Sequence, residues 1–378
     1  MKRSILFIHH VAAIGGGSYC LLNLIRSLDR DLYDPSVLLG EDGPLAVELR
    51  KEDIPLDILP EMMPLPYNKS LWRRSCIQRY LGQNRSLKAF ERYLAAHPEF
   101  DIVYLNNMLL CPYLRIAKDN GRKTVIHIRE HWSKGEHPLQ FLYVHSMIEK
   151  WADRIIAINR YAASRFDAVR TKTEVVYDWI DMNDRYEFMP YSSIFGYDTS
   201  GLKVFLYVGG LNPIKGIHEI VEVFHRSAGN DCRLLIVGNN PVNSPARPMR
   251  KTCETINADS RIRCIPSTYK IRHLIEQAYC TVSFFTVPHA NLFLAESLIC
   301  KIPAIAAMTE EAYEYSESGT LAALFPFKSK RAFARAMQMS DAEYDALKAR
   351  VVASSDKVAV LFDRQRNLSC WHEAIKDI

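Results

Sequence analysis

The stretch VFLYVGGLNPIKGIHEIVEVF, residues 204–224, joins a short apolar run to an amphipathic segment through a glycine-containing turn. Val204 to Val208 is wholly apolar, as is typical of a strand covered on both faces of a parallel sheet. After Gly216, apolar residues recur at helical spacing from Ile220 to Phe224. A strand that runs through such a turn into a helix is the first part of a parallel β-α-β unit. The stretch therefore predicts an α/β fold.

Short apolar runs of the same kind alternate with longer amphipathic segments along the whole chain. In the first half the predicted strands are residues 4–9, 33–39, 56–59, 102–105, 124–128, 154–158 and 174–176. In the second half they are residues 204–208, 233–237, 262–265, 281–285, 304–306 and 323–325. Each half has enough strands for a doubly wound, Rossmann-like sheet of its own, so the sequence predicts two such domains.

The length of the chain also favours two domains. One hydrophobic core rarely serves more than roughly 250 to 300 residues, and this chain has 378. Residues 181–202 lack helical periodicity, so we place the linker there and the boundary near residue 183. This division gives an N-terminal domain over residues 1–182 and a C-terminal domain over residues 183–365. Residues 357–378 carry apolar residues at helical spacing and predict a helix that could cap either domain.

Composition and charge argue against several classes of function. The chain is 48% hydrophobic and 24% charged, and its net charge of +5 is modest for a nucleic-acid binder. Its nine cysteines include neither a CxxC pair nor a histidine at zinc-binding spacing, so we expect reduced thiols, a cytoplasmic location and no metal site. The sequence predicts no signal peptide and no apolar stretch near the roughly 20 residues of a spanning helix. Any membrane contact is therefore expected to be peripheral.

The first strand leads into a triple-glycine turn, Gly15, Gly16 and Gly17, which opens a helix. Glycines let a ligand approach the backbone, and the free N–H groups and positive dipole of a helix N-terminus attract an anion. The alternative is a tight turn from strand to helix that binds nothing. The spacing differs from the GxGxxG fingerprint of dinucleotide sites, so no such cofactor is predicted.

Two charged residues of the second half have apolar or glycine-rich surroundings. Lys215 follows a glycine turn and is placed to neutralise a diphosphate, although it could instead be a solvated residue in the first turn of a surface helix. Glu296 lies on a predicted helix between Leu294 and Leu298, where ribose hydroxyls could supply the hydrogen bonds that a buried carboxylate needs. Its alternative is a carboxylate at the helix edge that faces water.

Taken together and in order, these segments resemble the GT-B glycosyltransferases, specifically the retaining family 4 that uses nucleotide-sugar donors. The triple-glycine turn is similar to that family's N-terminal glycine loop, and residues 152–159 with 175–181 resemble the passage before its linker. Residues 208–216 look like its VGRLxxxKG signature, 236–238 like IVGxGP, and 296–306 like EAMACGxPVIA. The resemblance spans most of the chain.

The resemblance implies that two Rossmann-like domains face each other across a cleft, with the donor bound by the C-terminal domain and the acceptor by the N-terminal one. A C-terminal helix, about residues 366–378, would pack back on the N-terminal domain. Lys215 would bind the donor diphosphate and stabilise it as the leaving group, and Glu296 would bind the ribose. The other predicted donor-binding residues are Gly15, Gly16, Gly17, Gly209, Gly210, Gly238, Asn291, Leu292 and Phe293. The nucleotide-sugar is a substrate, so no cofactor is expected.

Two donor-side positions depart from the family pattern. Gly210 stands where the family has an arginine, which removes one of the two cations expected at the diphosphate. The family also has two glutamates separated by seven residues, and the first would fall at Pro288, in a segment that looks shortened. The identity of the sugar therefore does not carry over.

A third departure concerns the histidine that follows the family's fifth strand and faces the donor sugar. It aligns best with Arg129, which we accordingly predict to be catalytic, with His127 and His131 as alternatives. Arg129 and the adjacent Glu130 could instead form a structural ion pair.

The resemblance implies transfer with retention of configuration and without a metal ion, driven by charge stabilisation and domain closure. The departures leave two rival functions open. One is a non-catalytic GT-B binding or partner protein, and the other is a GT-B nucleotide-sugar epimerase.

Residues 69–92 form a basic segment with interleaved apolar residues. It carries seven lysines and arginines against the single acid Glu91. Such a segment can rest on an anionic membrane surface, where the acceptor would be a lipid-linked or polysaccharide precursor. The alternative is a helix that packs its apolar face on the N-terminal sheet, and we expect Gly82 to break that helix in the middle.

Overall fold

The computed structural model describes residues 2–13, 15–66, 74–130, 137–180, 188–238, 249–268 and 271–378. The chain divides into two compact units, one formed by residues 1–179 with 364–378 and the other by residues 180–363. The boundary that we predicted near residue 183 falls in residues 181–187, which lie outside the described residues.

The described part of the first unit contains a parallel sheet with the strand order β3-β2-β1-β4-β5-β6-β7. Its strands are β1 Arg3–His9, β2 Tyr33–Leu39, β3 Leu56–Ile58, β4 Ile102–Leu105, β5 Lys123–Ile128, β6 Arg154–Ala157 and β7 Thr173–Val175. The helices that accompany them are α1 Gly16–Ser27, α2 Pro44–Lys51, α3 Arg74–Ala96, α4 Pro112–Asp119, α5 Pro138–Trp151 and α6 Arg160–Ser164.

The described part of the second unit contains a parallel sheet with the order β10-β9-β8-β11-β12-β13. Its strands are β8 Lys203–Val208, β9 Cys232–Val237, β10 Ile262–Ile265, β11 Cys280–Ser283, β12 Ala304–Ala307 and β13 Ala323–Phe325. Its helices are α7 Tyr191–Phe195, α8 Ile217–Ser227, α9 Arg250–Ala258, α10 Arg272–Gln277, α11 Leu292–Ile299, α12 Glu310–Tyr315, α13 Lys330–Met337 and α14 Asp341–Leu361. All the strands predicted from the sequence are present in the two sheets, and the α/β prediction is confirmed.

Alternating side chains of the central strands supply two hydrophobic cores in each unit. On β1, Leu6 and Ile8 belong to one core, and Ile5 and Phe7 belong to the other. Side chains of a strand point alternately to the two faces of its sheet. Both faces of each sheet are therefore covered, which explains why the strands read as continuous apolar runs.

The strand order places a topological switch point in each unit. The chain moves outward from β1 in one direction and resumes at β4 on the other side, and it does the same at β8 and β11. Ligands of open α/β sheets bind beyond the carboxyl ends of the strands at such a point. The turns after β1, β4, β8 and β11 are therefore the places to look for a site.

The basic helix α3 differs from its prediction. It runs without interruption through Gly82, so the expected break is wrong. A Cβ at this position would lie 2.8 Å from Sδ of Met63, so the missing side chain lets the Met63 side chain pack closely on the helix. Tertiary packing thus outweighs the low helix propensity of glycine.

The last helix, α15 Arg364–Ile375, belongs to the first unit. The Trp371 indole N–H donates to the Tyr104 hydroxyl on β4 (3.2 Å), and Arg154 Nε on β6 donates to the carbonyl of Ala374 (2.9 Å). These contacts join the end of the chain to strands formed much earlier in the sequence.

Among the described residues, no helix is both long enough and apolar enough to span a membrane.

Candidate functional site

A glycine turn follows β8 at the carboxyl edge of the second sheet. The N–H groups of Gly209 and Gly210 both donate to the carbonyl of Val237 (3.0 Å each). Gly210 has a φ of +58° and Gly238 a φ of +149°, and a Cβ on Gly238 would lie 2.2 Å from Cα of Gly210. Only glycines permit this close approach of two backbones. Three predicted donor-binding residues, Gly209, Gly210 and Gly238, therefore pack together.

Lys215 ends the 3₁₀ turn Pro213–Lys215, which the Asn212 side chain caps by accepting the N–H of Ile214 (3.0 Å). The next residue, Gly216, has a φ of +76°, and a Cβ there would lie 1.9 Å from the carbonyl oxygen of Phe284. Cδ of Lys215 lies only 2.6 Å from the position of a Cβ on Gly209, so the lysine stem crosses the glycine turn. Lys215 is therefore not a freely solvated surface residue, because its side chain is half-buried against that turn.

Helix α11 supplies the other predicted donor-binding residues. Asn291 caps it by accepting the N–H of Leu294 (3.3 Å), and Leu292 and Phe293 form its first turn. Glu296 is half-buried one turn further on. Burial raises the pKa of the Glu296 carboxyl to about 7, although the positive charge of Lys215 acts in the opposite direction. Burial likewise lowers the pKa of Lys215, and the charge of Glu296 partly offsets that effect.

Sequence reasoning missed one residue of this region, His289. Its side chain reaches solvent, yet the surrounding protein desolvates the ring, and this effect together with the charge of Lys215 lowers the pKa of His289 to about 4. The ring packs beside Phe285 with 5.0 Å between centroids. The sequence carries a signal for it, because His289 directly follows Pro288, the position at which the family pattern has a glutamate. Lys215, His289 and Glu296 are called the lysine cluster below.

The lysine cluster carries two charged side chains that form no direct contact with a partner among the described residues. Within the described part of the chain, the side chains of Lys215, His289 and Glu296 make no hydrogen bond or ion pair with one another or with other groups. A cation, a neutral imidazole and a carboxylate at one sheet edge can together bind a ligand that carries both phosphate and hydroxyl groups.

The triple-glycine turn lies at the carboxyl edge of the first sheet. Helix α1 begins at Gly16 after an extended Gly15. A Cβ on Gly15 or Gly16 would meet no atom of the described residues within 4 Å, its chain neighbours aside, and one on Gly17 would lie 3.8 Å from Cδ of Arg129. The start of α1 is thus open to a ligand, whereas its third glycine packs against Arg129.

A network of buried polar side chains lies behind this turn. Asn106 Nδ2 donates to Nδ1 of His9 and to the carbonyl of Gly17 (3.3 Å each). The proton of His9 is then on Nε2, which donates to Oγ of Ser18 (3.1 Å). Burial lowers the pKa of His9 to about 3, with His10 and Arg129 contributing, so the ring is neutral.

Arg129 completes this network. Its Nε donates to Oδ1 of Asn106 (2.8 Å), and its Nη1 lies 2.5 Å from both carboxylate oxygens of Asp178. The side chain of Arg129 is only 7% exposed. Its ion pair is therefore with Asp178 and not with the adjacent Glu130, the partner suggested by the sequence. His9, Asn106, His127, Arg129 and Asp178 are called the arginine cluster below.

The side chains of Glu130 and His127 accept hydrogen bonds from neighbouring groups of the protein. The Glu130 carboxylate accepts the backbone N–H of Met108 (3.0 Å), and burial raises the pKa of its carboxyl to about 7. His127 is buried, and its Nδ1 receives hydrogen bonds from the Tyr104 hydroxyl (2.8 Å) and from Arg129 Nη2 (3.3 Å). The other alternative to Arg129, His131, lies outside the described residues. Over the described ranges, no group of three or more His, Cys, Asp or Glu side chains is arranged to hold a metal ion.

Two family models match the chain, one over each half. Residues 15–182 match the model described as a glycosyl transferase 4-like domain, and residues 202–339 match the model described as glycosyl transferases group 1. The two matches follow each other in the order of the two units. The chain belongs to the group 1 glycosyltransferases. No curated protein sequence matches it.

Solved structures confirm the GT-B fold of this glycosyltransferase. HepE from Anabaena, solved in complex with UDP, is 18% identical with a TM-score of 0.79, and the match covers 100% of each chain. Sucrose-phosphate synthase from Thermosynechococcus elongatus is 14% identical with a TM-score of 0.76, covering 99% of this chain and 98% of that one. An Escherichia coli protein bound to UDP-2-fluoro glucose is 13% identical with a TM-score of 0.71, covering 99% of both chains.

Proposed function

We propose that this glycosyltransferase takes a hexose from a nucleotide-diphosphate sugar, which it binds through the lysine cluster of the second unit. One observation carries the proposal, namely the opposite charges of Lys215 and Glu296, which are half-buried at the switch point and, among the described residues, make no hydrogen bond or ion pair. Leaving such groups unpaired costs stability, and a ligand that pairs with both would recover that cost. Lys215 would face the diphosphate and Glu296 the ribose.

In this proposal Lys215 stabilises the negative charge that develops on the departing diphosphate. The free N–H groups at the start of α11, around Asn291, Leu292 and Phe293, would add hydrogen bonds to the same phosphates. These groups would perform the stabilisation without a metal ion. The retention of configuration and the assignment of residues 183–365 as the donor domain rest on the family resemblance.

For Arg129 the contacts favour a positioning role within the first unit. Its guanidinium is already bound to Asp178 and Asn106, and Asn106 in turn holds the carbonyl of Gly17. Arg129 would therefore fix the shape of the triple-glycine turn and leave the direct neutralisation of the donor to Lys215. A catalytic role for Arg129 itself stays a prediction.

Thermal shift with UDP, GDP and their common sugars tests the donor proposal, because a ligand that binds only the folded state raises the melting temperature by mass action. The structures of HepE with UDP and with UDP-glucose make these two ligands the first probes. We expect a shift with at least one nucleotide diphosphate and slow hydrolysis of the corresponding sugar. Binding without hydrolysis or transfer would favour the non-catalytic alternative, and isomerisation of the free donor would favour the epimerase.

We further propose that the acceptor is a lipid-linked or polysaccharide precursor at the cytoplasmic face of a membrane. Helix α3 buries Phe90 and Leu94 in the core of the first unit, yet it exposes Leu81 at 78%. On α5, Leu139 is exposed at 84%. Tyr80 of α3 and Tyr143 of α5 are exposed as well, so both helices present apolar side chains to solvent.

Charge indicates which partner such a surface would meet. The exposed side chains of α3 include Arg74, Arg79, Arg85, Lys88 and Arg92. A helix that exposes both apolar and basic side chains is suited to bind an anionic lipid headgroup region. Each basic residue near the membrane surface contributes about 1 kcal/mol to such binding.

Sedimentation with phosphatidylserine-containing vesicles tests this placement. We expect the protein to pellet at low salt and to be released at high salt, and the double variant Arg74→Glu/Arg79→Glu to stay in the supernatant. Arg331→Glu, a charge reversal on the second unit, serves as the control. A protein that never pellets, or a double variant that pellets like the parent, would make a soluble acceptor preferable.

A further inference from the structure

The loop between β11 and α11 carries His289, the member of the lysine cluster whose contact with the donor the proposed function leaves unassigned. The loop is fixed at its base, because Asn291 Nδ2 donates to Oγ of Ser283 (2.8 Å) across its two ends. It is also attached to the lysine turn, because the N–H of Thr286 donates to the carbonyl of Ile214 (2.9 Å). The Thr286 hydroxyl reaches the same carbonyl (3.2 Å).

These hydrogen bonds hold the loop that carries His289 next to the turn that carries Lys215. The ring sits beside Phe285 and close enough to Lys215 for the two to interact electrostatically. The loop thus holds an imidazole next to the ammonium group that we assign to the diphosphate. Between Gly209 and Gly216, Lys215 is the only basic residue of the turn.

We infer that His289 is a second ligand of the donor diphosphate and donates a hydrogen bond to the phosphate that Lys215 neutralises. The inference rests on the proposed donor site. Gly210 has no side chain with which to contact the phosphates. In this inference His289 supplies that second side-chain hydrogen-bond donor from the neighbouring loop instead of from the glycine turn.

The electrostatics fit this role. A neutral imidazole beside Lys215 carries one N–H donor without adding a second positive charge next to the lysine. When an anionic diphosphate enters, it attracts a proton to the ring, so binding should be accompanied by proton uptake. Among the described residues, Lys215 is the charged group that faces His289 from the adjacent turn.

Titration calorimetry with UDP and UMP tests the inference on the full chain. We expect His289→Ala to weaken UDP binding about tenfold, as for one hydrogen bond to a charged group, while UMP binding changes little. His289→Gln, which keeps an N–H donor, should recover part of the lost affinity. In buffers of different ionisation enthalpy, the parent should take up protons with UDP and His289→Ala should not.

Titration of Lys215→Met in parallel distinguishes a failure of the His289 inference from a failure of the proposed donor site. If Lys215→Met loses UDP affinity and His289→Ala does not, His289 is not a ligand and the donor site stands. If neither variant changes UDP binding, or the parent binds neither UDP nor GDP, the donor site itself is wrong and the inference fails with it. Equal melting temperatures of the ligand-free proteins exclude misfolding as the cause.

Discussion

The arginine cluster and the lysine cluster treat buried charge in opposite ways. Arg129 is buried with Asp178, and its guanidinium is held by two further side chains, Asn106 and His127. Lys215 and Glu296 are coupled electrostatically, but within the described chain they make no hydrogen bond. A charge that the protein itself has paired mainly maintains structure, whereas an unpaired one is available to a ligand.

The largest effect is expected when the arginine cluster is broken. Asp178→Ala leaves the Arg129 charge buried without its partner, which should lower the free energy of unfolding by about 3–5 kcal/mol. Urea denaturation measures it. Asp178→Asn, which keeps an acceptor oxygen, should lose less. If Asp178→Ala is as stable as the parent but transfers no sugar, the cluster is catalytic and the comparison fails.

Lys215 should show the reverse behaviour. Lys215→Met keeps the stem that crosses Gly209 but removes the charge, so UDP affinity should fall about tenfold or more. Stability without ligand should stay within about 0.5 kcal/mol of the parent or rise, because an unpaired desolvated charge is lost. Calorimetry and urea denaturation together test both expectations, with Lys251→Ala as a surface control. Unchanged affinity would remove Lys215 from the site.

Glu296→Gln should produce a smaller, pH-dependent change. The folded-state pKa of about 7 lies above the usual glutamate value of 4.5, so the folded protein binds more protons than the unfolded chain in this interval. The Glu296 contribution to stability is thus fully present below about pH 4.5 and is lost as the pH rises through 7.

The variant has no such titration. Its stability relative to the parent should therefore improve by about 1–3 kcal/mol between pH 5 and pH 8, while its affinity for the nucleotide falls because an amide is a poorer acceptor for ribose hydroxyls. Urea denaturation at both pH values and nucleotide titration are the measurements. A variant that is destabilised at both pH values and binds normally would show a structural role for Glu296.

The difference between the clusters also explains what the sequence could predict. Lys215 follows the glycine turn after β8, and Glu296 lies among apolar residues on α11, so local sequence pattern was enough to select them. The Arg129–Asp178 pair joins residues 49 apart that follow β5 and β7, with β6 between them. Only the completed strand order brings them together. The unbroken α3 was missed for a similar reason, since Met63 packs against Gly82 from outside the helix.

The two glycine turns should differ in their response to an added methyl group, and the smallest effect on stability is expected at Gly16. Gly16→Ala should leave the melting temperature nearly unchanged, because a Cβ there meets no atom of the described, non-adjacent residues within 4 Å and alanine is a better helix former. Gly216→Ala should be clearly destabilising, since φ is +76° and the Cβ would lie 1.9 Å from the carbonyl oxygen of Phe284.

The informative measurement is the affinity of the stable Gly16→Ala protein for UDP or the donor sugar. If the start of α1 contacts the donor closely, as we predicted from the triple glycine, the added methyl group should weaken binding without loss of stability. An unchanged affinity would mean that this turn is only a strand-to-helix connection and that donor binding rests on the second unit alone.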